Sequence, residues 1–391
     1  MTELVDGNRI TLLENGVHYF PALEAELDAA RREIHLETYI FEDDVTGRTI
    51  AAALARAARR GVATNVMVDG FGSKSLNNEL VAELEGAGVR FLVYRPDISP
   101  WTLRRGRLRR LHRKIAVVDA RVAFVGGINI IDDMDTPGHT PPRFDYAVRV
   151  EGPLVARIHP VVKRLWTLVT ATQFRRVPRE LRELGPFTAR RGTQRAAFLV
   201  RDNLRHRRDI EQAYLSAIEC ARSEILIANA YFFPGHSFRR ALADAAARGV
   251  RVALLLQGKV EYLLLHYASR ALYGSLLDAG IEIHEYHKSF LHAKVAVIDG
   301  HWATVGSSNI DPLSLLLARE ANVVIEDAGF AGELRQSLAA AMANGARQLR
   351  REGWKNQPLT VRTLTWMSYG LARLLTGLFA YGRADEFTVR P

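Results

Sequence analysis

The sequence contains a single cysteine, Cys220, among 391 residues. One thiol excludes an internal disulfide and fits a reducing compartment. No uninterrupted apolar run of about 18 residues occurs, so a standard membrane-spanning helix is not expected. The nearest approach is Thr363 to Gly382, twenty residues interrupted by Arg373. The opening decapeptide MTELVDGNRI lacks a basic n-region and an apolar h-region, so no signal peptide is expected and the chain reads as facing the cytosol. Acidic residues are the other shortage, 43 against 53 Lys and Arg, giving a net charge of +10 and a pI near 9.8. This imbalance favours an anionic partner, whether nucleic acid, a phospholipid surface or a phosphorylated substrate. What is present is an ordinary globular balance, 48% hydrophobic and 25% charged, which excludes disorder, collagen and a coiled coil and leaves length for two domains.

The chain carries one pattern twice. His112, Lys114, Asp119, Gly126 and Asn129 recur as His292, Lys294, Asp299, Gly306 and Asn309, all at an offset of 180. Upstream, Arg60-Gly61-Val62 matches Arg248-Gly249-Val250 at 188, and LEGAGV at Leu84 to Val89 matches LLDAGI at Leu276 to Ile281 at 192. The falling offset requires about twelve extra residues before His112, and the basic segment Pro96 to Arg110 accommodates them.

Each half alternates the two structural periods. Ile34 to Phe41 and Ala63 to Val68 read as strands, Gly47 to Arg59 and Asn78 to Glu85 as helices, and Lys114 to Val118 and Val122 to Gly126 as short buried strands. The second half repeats this at Ile225 to Ala230, Val250 to Leu256, Lys294 to Ile298 and Trp302 to Val305. The expected fold class is therefore α/β, with two similar layered lobes. The boundaries read as an N-terminal lobe over 1–172, a connector over 173–197, a C-terminal lobe over 198–350 and a basic amphipathic tail over 351–391. The stretch Arg175 to Arg208 holds eleven arginines, with Pro178, Gly185, Pro186 and Gly192 as helix breakers.

An H-x-K pair on a strand projects from one face, which places an imidazole beside an ammonium. Two copies facing each other across a pseudo-twofold axis would gather two imidazoles, two ammoniums and two amides, a constellation suited to phosphodiester chemistry. Lys114, Lys294, Asn129 and Asn309 could stabilise charge on the equatorial oxygens, while one histidine attacks phosphorus and the other handles the proton. Neither a metal nor another cofactor is expected, since the lysines supply positive charge. These motifs, HRKIAVVD followed by GGIN and HAKVAVID followed by GSSN, resemble the phospholipase D superfamily with its paired HKD motifs. The likeness extends through LLENG at 12 to 16, LETYIFEDDVTG at 36 to 47, NAYFFPG at 229 to 235 and HWATVGSSNIDPLSL at 301 to 315, and is greatest for bacterial cardiolipin synthases of the B type. It implies two α/β sandwich lobes with the active site between them, and phosphatidyl transfer from one phosphatidylglycerol to another with release of glycerol through a phosphohistidine. It further implies a carboxylate some distance after each motif that holds the motif histidine's second ring nitrogen, at Asp145 and Glu320, with His112 as nucleophile and His292 as acid/base. The rival reading is a hydrolase of the same superfamily, a phospholipase or nuclease; a non-catalytic lipid-binding descendant is opposed by the intact histidines and lysines.

Other residues carry plainer alternatives. Asp119 and Asp299 complete the motifs, yet stand on the strand face opposite their lysines, where a turn or structural role fits better than chemistry. Asp132, Asp133 and Asp135 read as a solvated loop rather than a metal site. His35, His266 and His284 read as structural or surface residues. The second half departs from the first in having Gln257-Gly258 where Asp69-Gly70 stands. The expected partners are phosphatidylglycerol and the cytoplasmic face of the membrane, with no nucleic acid, for a protein competent as a monomer. The Arg-rich insert before His112, with Trp101 and Leu103, and the tail stripe Leu364, Met367, Leu371, Leu374, Leu375 and Leu378, flanked by Trp366, Tyr369 and Tyr381, are the candidate membrane contacts.

Overall fold

The computed structural model describes residues 3–96, 109–136, 138–173, 187–202, 206–259, 263–311, 318–355 and 359–381. Most of the Arg-rich insert, much of the connector and the final ten residues thus lie outside the described residues. In the first half, β1 (Val5–Glu14), α1 (Asn15–Ala29), β2 (Glu33–Thr38), α2 (Val45–Arg59), β3 (Ala63–Asp69), α3 (Asn78–Gly86) and β4 (Arg90–Tyr94) alternate. They are followed by β5 (Arg110–Leu111), β6 (Lys114–Val118), β7 (Val122–Gly126), β8 (Arg143–Phe144), β9 (Tyr146–Glu151) and α4 (Val155–Thr172). The second half comprises β10 (Gln194–Arg201), α5 (Asp209–Cys220), β11 (Glu224–Asn229), α6 (His236–Ala247), β12 (Arg251–Gln257), α7 (Leu263–Asp278) and β13 (Glu282–Tyr286). It continues with β14 (Phe290–Leu291), β15 (Lys294–Ile298), β16 (Trp302–Gly306), β17 (Ala318–Glu326), α8 (Ala328–Gly345), β18 (Ala346–Gln348), α9 (Arg351–Lys355) and α10 (Leu359–Tyr381).

The strand order β4-β3-β2-β6-β7-β9-β1 in the first half is repeated as β13-β12-β11-β15-β16-β17-β10 in the second. In each, three parallel strands carry helical crossovers and the rest are antiparallel. The two sets meet where β1 pairs with β10, so one sheet runs through both lobes. Alternation along buried strands assigns each residue to a layer. On β6, Ala116 and Val118 pack beneath α1 to α3, while Ile115 and Val117 face the layer between the lobes, which α4 and α8 fill. The second lobe buries its other face under α5, α6 and α7.

The motif aspartates stand at the far ends of β6 and β15, at φ values of 53° and 51° in the left-handed region that Asp tolerates better than most residues. The Asp119 carboxylate accepts hydrogen bonds from the backbone N–H groups of Arg31, Arg32 and Glu33 at 2.8–3.0 Å, tying the start of β2 to β6. Asp299 does the same for Arg222, Ser223 and Glu224. Partial burial pushes the Asp299 carboxyl up, but these hydrogen bonds outweigh it and hold the group at about 2. Its stabilising effect is therefore complete above the ordinary value of about 3.9 and is lost as pH falls towards 2. We expect Asp119→Ala and Asp299→Ala each to cost roughly 1–3 kcal/mol in denaturant unfolding, while the kcat of the folded fraction changes little. A thousandfold fall in kcat at unchanged stability would instead put these aspartates in the chemistry.

Candidate active site

Each motif histidine sits just ahead of a buried strand, and the other lobe holds it there. The two-residue strand β5, before His112, runs parallel to the start of β17, and His112 donates its backbone N–H to the Arg319 carbonyl at 3.0 Å. Likewise β14, before His292, runs parallel to β8, and His292 donates to the Phe144 carbonyl at 2.8 Å. These pairings bring each imidazole against a carboxylate of the opposite half. His112 Nδ1 lies 3.0 and 3.1 Å from the two oxygens of Glu320. His292 Nδ1 lies 2.6 Å from Asp145 Oδ2. Neither carboxylate serves the motif it follows in the sequence.

The lysines project from the same strand starts. Lys114 Nζ donates to the His112 carbonyl at 2.6 Å and stands 5.3 Å from the Tyr39 ring centre; that ring also packs 4.8 Å from the His112 ring. Lys294, fully buried, donates to the His292 carbonyl and lies 3.6 Å from Asp145 Oδ2. Burial lowers the Lys114 ammonium to about 7, with Lys294 adding to the fall and Glu320 opposing it. Burial also lowers both histidines, the lysines reinforce this, and the paired carboxylates oppose it, so the resting imidazoles are neutral near pH 7. Burial pushes Asp145 and Glu320 up, but the cations around them win and both are held low. A neutral imidazole beside an ionised carboxylate is suited to attack or to take up a proton. Asn129 and Asn309, both buried, follow β7 and β16; Asn129 Oδ1 accepts from the Ile40 N–H at 3.1 Å, which leaves its NH2 end as the donor.

Some site residues carry no sequence signal of their own. Arg201, 1% exposed, donates to Ser308 Oγ at 3.2 Å and faces Glu320 Oε1 at 3.6 Å, so a fixed cation backs the carboxylate that holds His112. In the sequence it is one arginine in a run of eleven. Gly127 leaves space for the Asp145 carboxylate, which a Cβ would strike, whereas its counterpart Ser307 donates its hydroxyl to Glu320. Asp69 accepts from the Leu111 N–H at 2.7 Å and from Phe71 and Gly72 at 3.0 and 3.1 Å, fixing the chain just before His112. Its counterpart Gln257 is buried, and among the described residues neither of its amide atoms has a hydrogen-bond partner. Among the aspartates after the first motif, Asp133 is tied to the Gly16 N–H, and burial raises its carboxyl to about 6.

The clasp predicts exchanged effects. Glu320→Gln removes the charge that opposes the fall at His112, so the pKa of His112 should drop further while that of His292 moves little; Asp145→Asn should do the reverse. Titration of isotope-labelled histidine followed by NMR reads this directly. A shift confined to His292 in Glu320→Gln would refute the pairing.

A family model described as "Cardiolipin synthase, PLD-like domain" matches residues 23–134 and 214–342. The chain is 43% identical over 355 residues to cardiolipin synthase B of Escherichia coli strain K12, covering 88% of this chain and 83% of that protein. It is 32% identical over 319 residues to a cardiolipin synthase of Geobacillus kaustophilus, covering 81% and 63% of the two chains. Among solved structures, phosphatidylserine synthase of Haemophilus influenzae superposes with a TM-score of 0.71 at 13% identity, covering 94% of both chains, which shows a shared fold.

Proposed function

Because the chain belongs to the cardiolipin synthase family of phospholipase D-like proteins, we propose that its reciprocal histidine–carboxylate site makes cardiolipin from two phosphatidylglycerol molecules. The observation that carries this reading is the pair of neutral imidazoles, each braced by a carboxylate from the opposite lobe, with two buried lysines beside them. His112 Nε2 attacks the phosphorus of the first phosphatidylglycerol, forming an N–P bond as the bond to the departing glycerol oxygen breaks. His292, protonated while the anionic substrate is bound, gives its proton to that oxygen, and glycerol leaves. The neutral His292 then takes the proton from a glycerol hydroxyl of the second phosphatidylglycerol, whose oxygen attacks phosphorus and frees His112. Lys114 and Lys294, with the amides of Asn129 and Asn309, stabilise the added charge on the equatorial oxygens. Glu320 and Asp145 orient the rings and stabilise the imidazoliums as they form.

Purified protein with phosphatidylglycerol vesicles should yield cardiolipin and glycerol; phosphatidic acid alone would mark a hydrolase. His112→Ala and His292→Ala should each lower kcat by about 10³-fold or more, and acid-quenched wild type should retain a phosphohistidine that His112→Ala lacks. Loss of the adduct in His292→Ala alone reverses the two roles.

The tail helix supports work at a membrane surface. Thr365, Ser368 and Ala372 are buried where α10 packs on α7, whereas Trp366 and Met367 are 60% and 69% exposed, with Leu364, Leu371 and Leu374 beside them. Small residues dock the helix together with Tyr369, which packs on the core 5.7 Å from the Phe233 ring and so does not join the outward face, while Leu364, Trp366, Met367, Leu371 and Leu374 face outward, unlike a helix that only completes a core. Among the described residues no helix is long and apolar enough to cross a membrane. The exposed face supports peripheral binding at the cytoplasmic leaflet, where each apolar side chain that becomes buried contributes about 1.5–3 kcal/mol. Replacing Trp366, Met367, Leu371 and Leu374 with Gln should abolish cosedimentation with phosphatidylglycerol vesicles in molar salt and leave the melting temperature unchanged. Undiminished cosedimentation in molar salt would rule out the tail as the anchor.

A further inference from the structure

Strand β2 is buried along its whole length, yet it is not apolar on both faces. Ile34 and Leu36 enter the core under α1 and α2, while Glu33, His35 and Glu37 share the opposite face. Glu37 is neutralised by Arg113, which lies between His112 and Lys114 and binds it with two hydrogen bonds. Glu33 and His35 have no arginine partner among the described residues. Across from them, α4 contributes His159, with Lys163 one turn further along.

All three side chains are more than nine-tenths buried. His159 Nε2 contacts Glu33 Oε1 directly. His35 Nε2 points at Glu33 Oε2 from 3.7 Å, too far for a hydrogen bond, and that buried nitrogen has no hydrogen-bond partner among the described residues. A buried polar atom left unpaired is costly, and an unpaired one beside a buried carboxylate oxygen is more so. The spacing has a simpler account as two ligands of one ion. Zinc ligands about 2.0–2.2 Å from the metal stand roughly 3.4 Å apart in tetrahedral geometry. One atom from each of Glu33, His35 and His159 falls within 4.8 Å of the others, so small side-chain shifts bring all three onto one centre. Two imidazole nitrogens and a carboxylate form a borderline donor set that suits zinc better than magnesium or calcium. We propose that Glu33, His35 and His159 contribute three ligands to a zinc site that staples β2 to α4 behind the catalytic strand.

A further feature fits. Lys163 Nζ, 3.9 Å from Glu33 Oε2, is the one competing cation near the carboxylate among the described residues, and at 19% exposure it can swing towards solvent. The site lies on the strand face opposite His112 and Lys114, so the ion stabilises the lobe and takes no part in phosphoryl transfer.

The test uses the full-length protein. Metal analysis after purification in zinc-containing buffer should find about one equivalent of zinc, and His35→Leu/His159→Leu should hold less than a tenth of that while remaining folded by circular dichroism. Dipicolinate should lower the melting temperature of the wild type by several degrees, reversibly on adding zinc, and leave the double variant unaffected. Lys163→Met should bind zinc more tightly, whereas in a metal-free ion-pair network it would only destabilise. Wild-type protein with no zinc and no thermal response to added zinc overturns the proposal. So does zinc content that persists in the double variant, which would locate the ion elsewhere. Cardiolipin formation measured well below the melting temperature should survive dipicolinate, which separates failure of this inference from failure of the proposed reaction.

Discussion

The reciprocal clasp between His112 and Glu320 and between His292 and Asp145 is the contact on which the site depends. Each half supplies a histidine without its own carboxylate and a carboxylate without its own histidine. In a separated lobe, the buried acid would lose the imidazole and lysine that offset its desolvation, a cost of several kcal/mol in a low-dielectric setting. The short parallel pairings β5–β17 and β14–β8 align backbone hydrogen bonds with this exchange. The sheet continuous through β1 and β10, and the apolar layer around α4 and α8, hold the lobes at the required separation. Site assembly and lobe association are therefore one event.

Around this shared plan the halves have diverged where a single reaction requires two different roles. Glu320 has Arg201 and Ser307 behind it, whereas Asp145 has Lys294 and the open position of Gly127. Tyr39 packs on the His112 ring, and Phe290 stacks beside His292 at 6.0 Å. Asp69 ties down the residue before His112, and Gln257 does no equivalent work. A duplicated motif begins with two identical imidazoles. Differences of this kind in charge and packing are how neighbouring groups acquire distinct proton affinities.

The charge imbalance seen in the composition is distributed to match. Two lysines are spent inside the site, where burial makes each more effective towards a phosphodiester than it would be in water. Elsewhere many arginines sit in exposed ion pairs, such as Arg56 with Asp28 and Arg251 with Glu282, which contribute little to stability. The outward apolar face of α10 adds a contact that salt does not screen.

The sequence alone determined the repeat, the α/β class and the identity of the motif residues, because these are local properties. Strand and helix periods appear in consecutive residues, so β3, β6, β7, α2 and α3 and the second-half strands β11, β12, β15 and β16 lie within a residue or two of where the periodicity puts them, while β2 ends at Thr38, three residues short of the expected Phe41. The histidines and lysines were legible through their repetition at one offset. The exchange of carboxylates was not, since Asp145 and Glu320 lie 147 and 208 residues from the histidines they hold and no pattern encodes which lobe faces which. Arg201 looked like one basic residue among many, and His35 like a structural or surface histidine. Only the tertiary structure could place a guanidinium behind Glu320 and set His35 and His159 on either side of Glu33, because both arrangements require strands and helices distant in sequence to pack face to face.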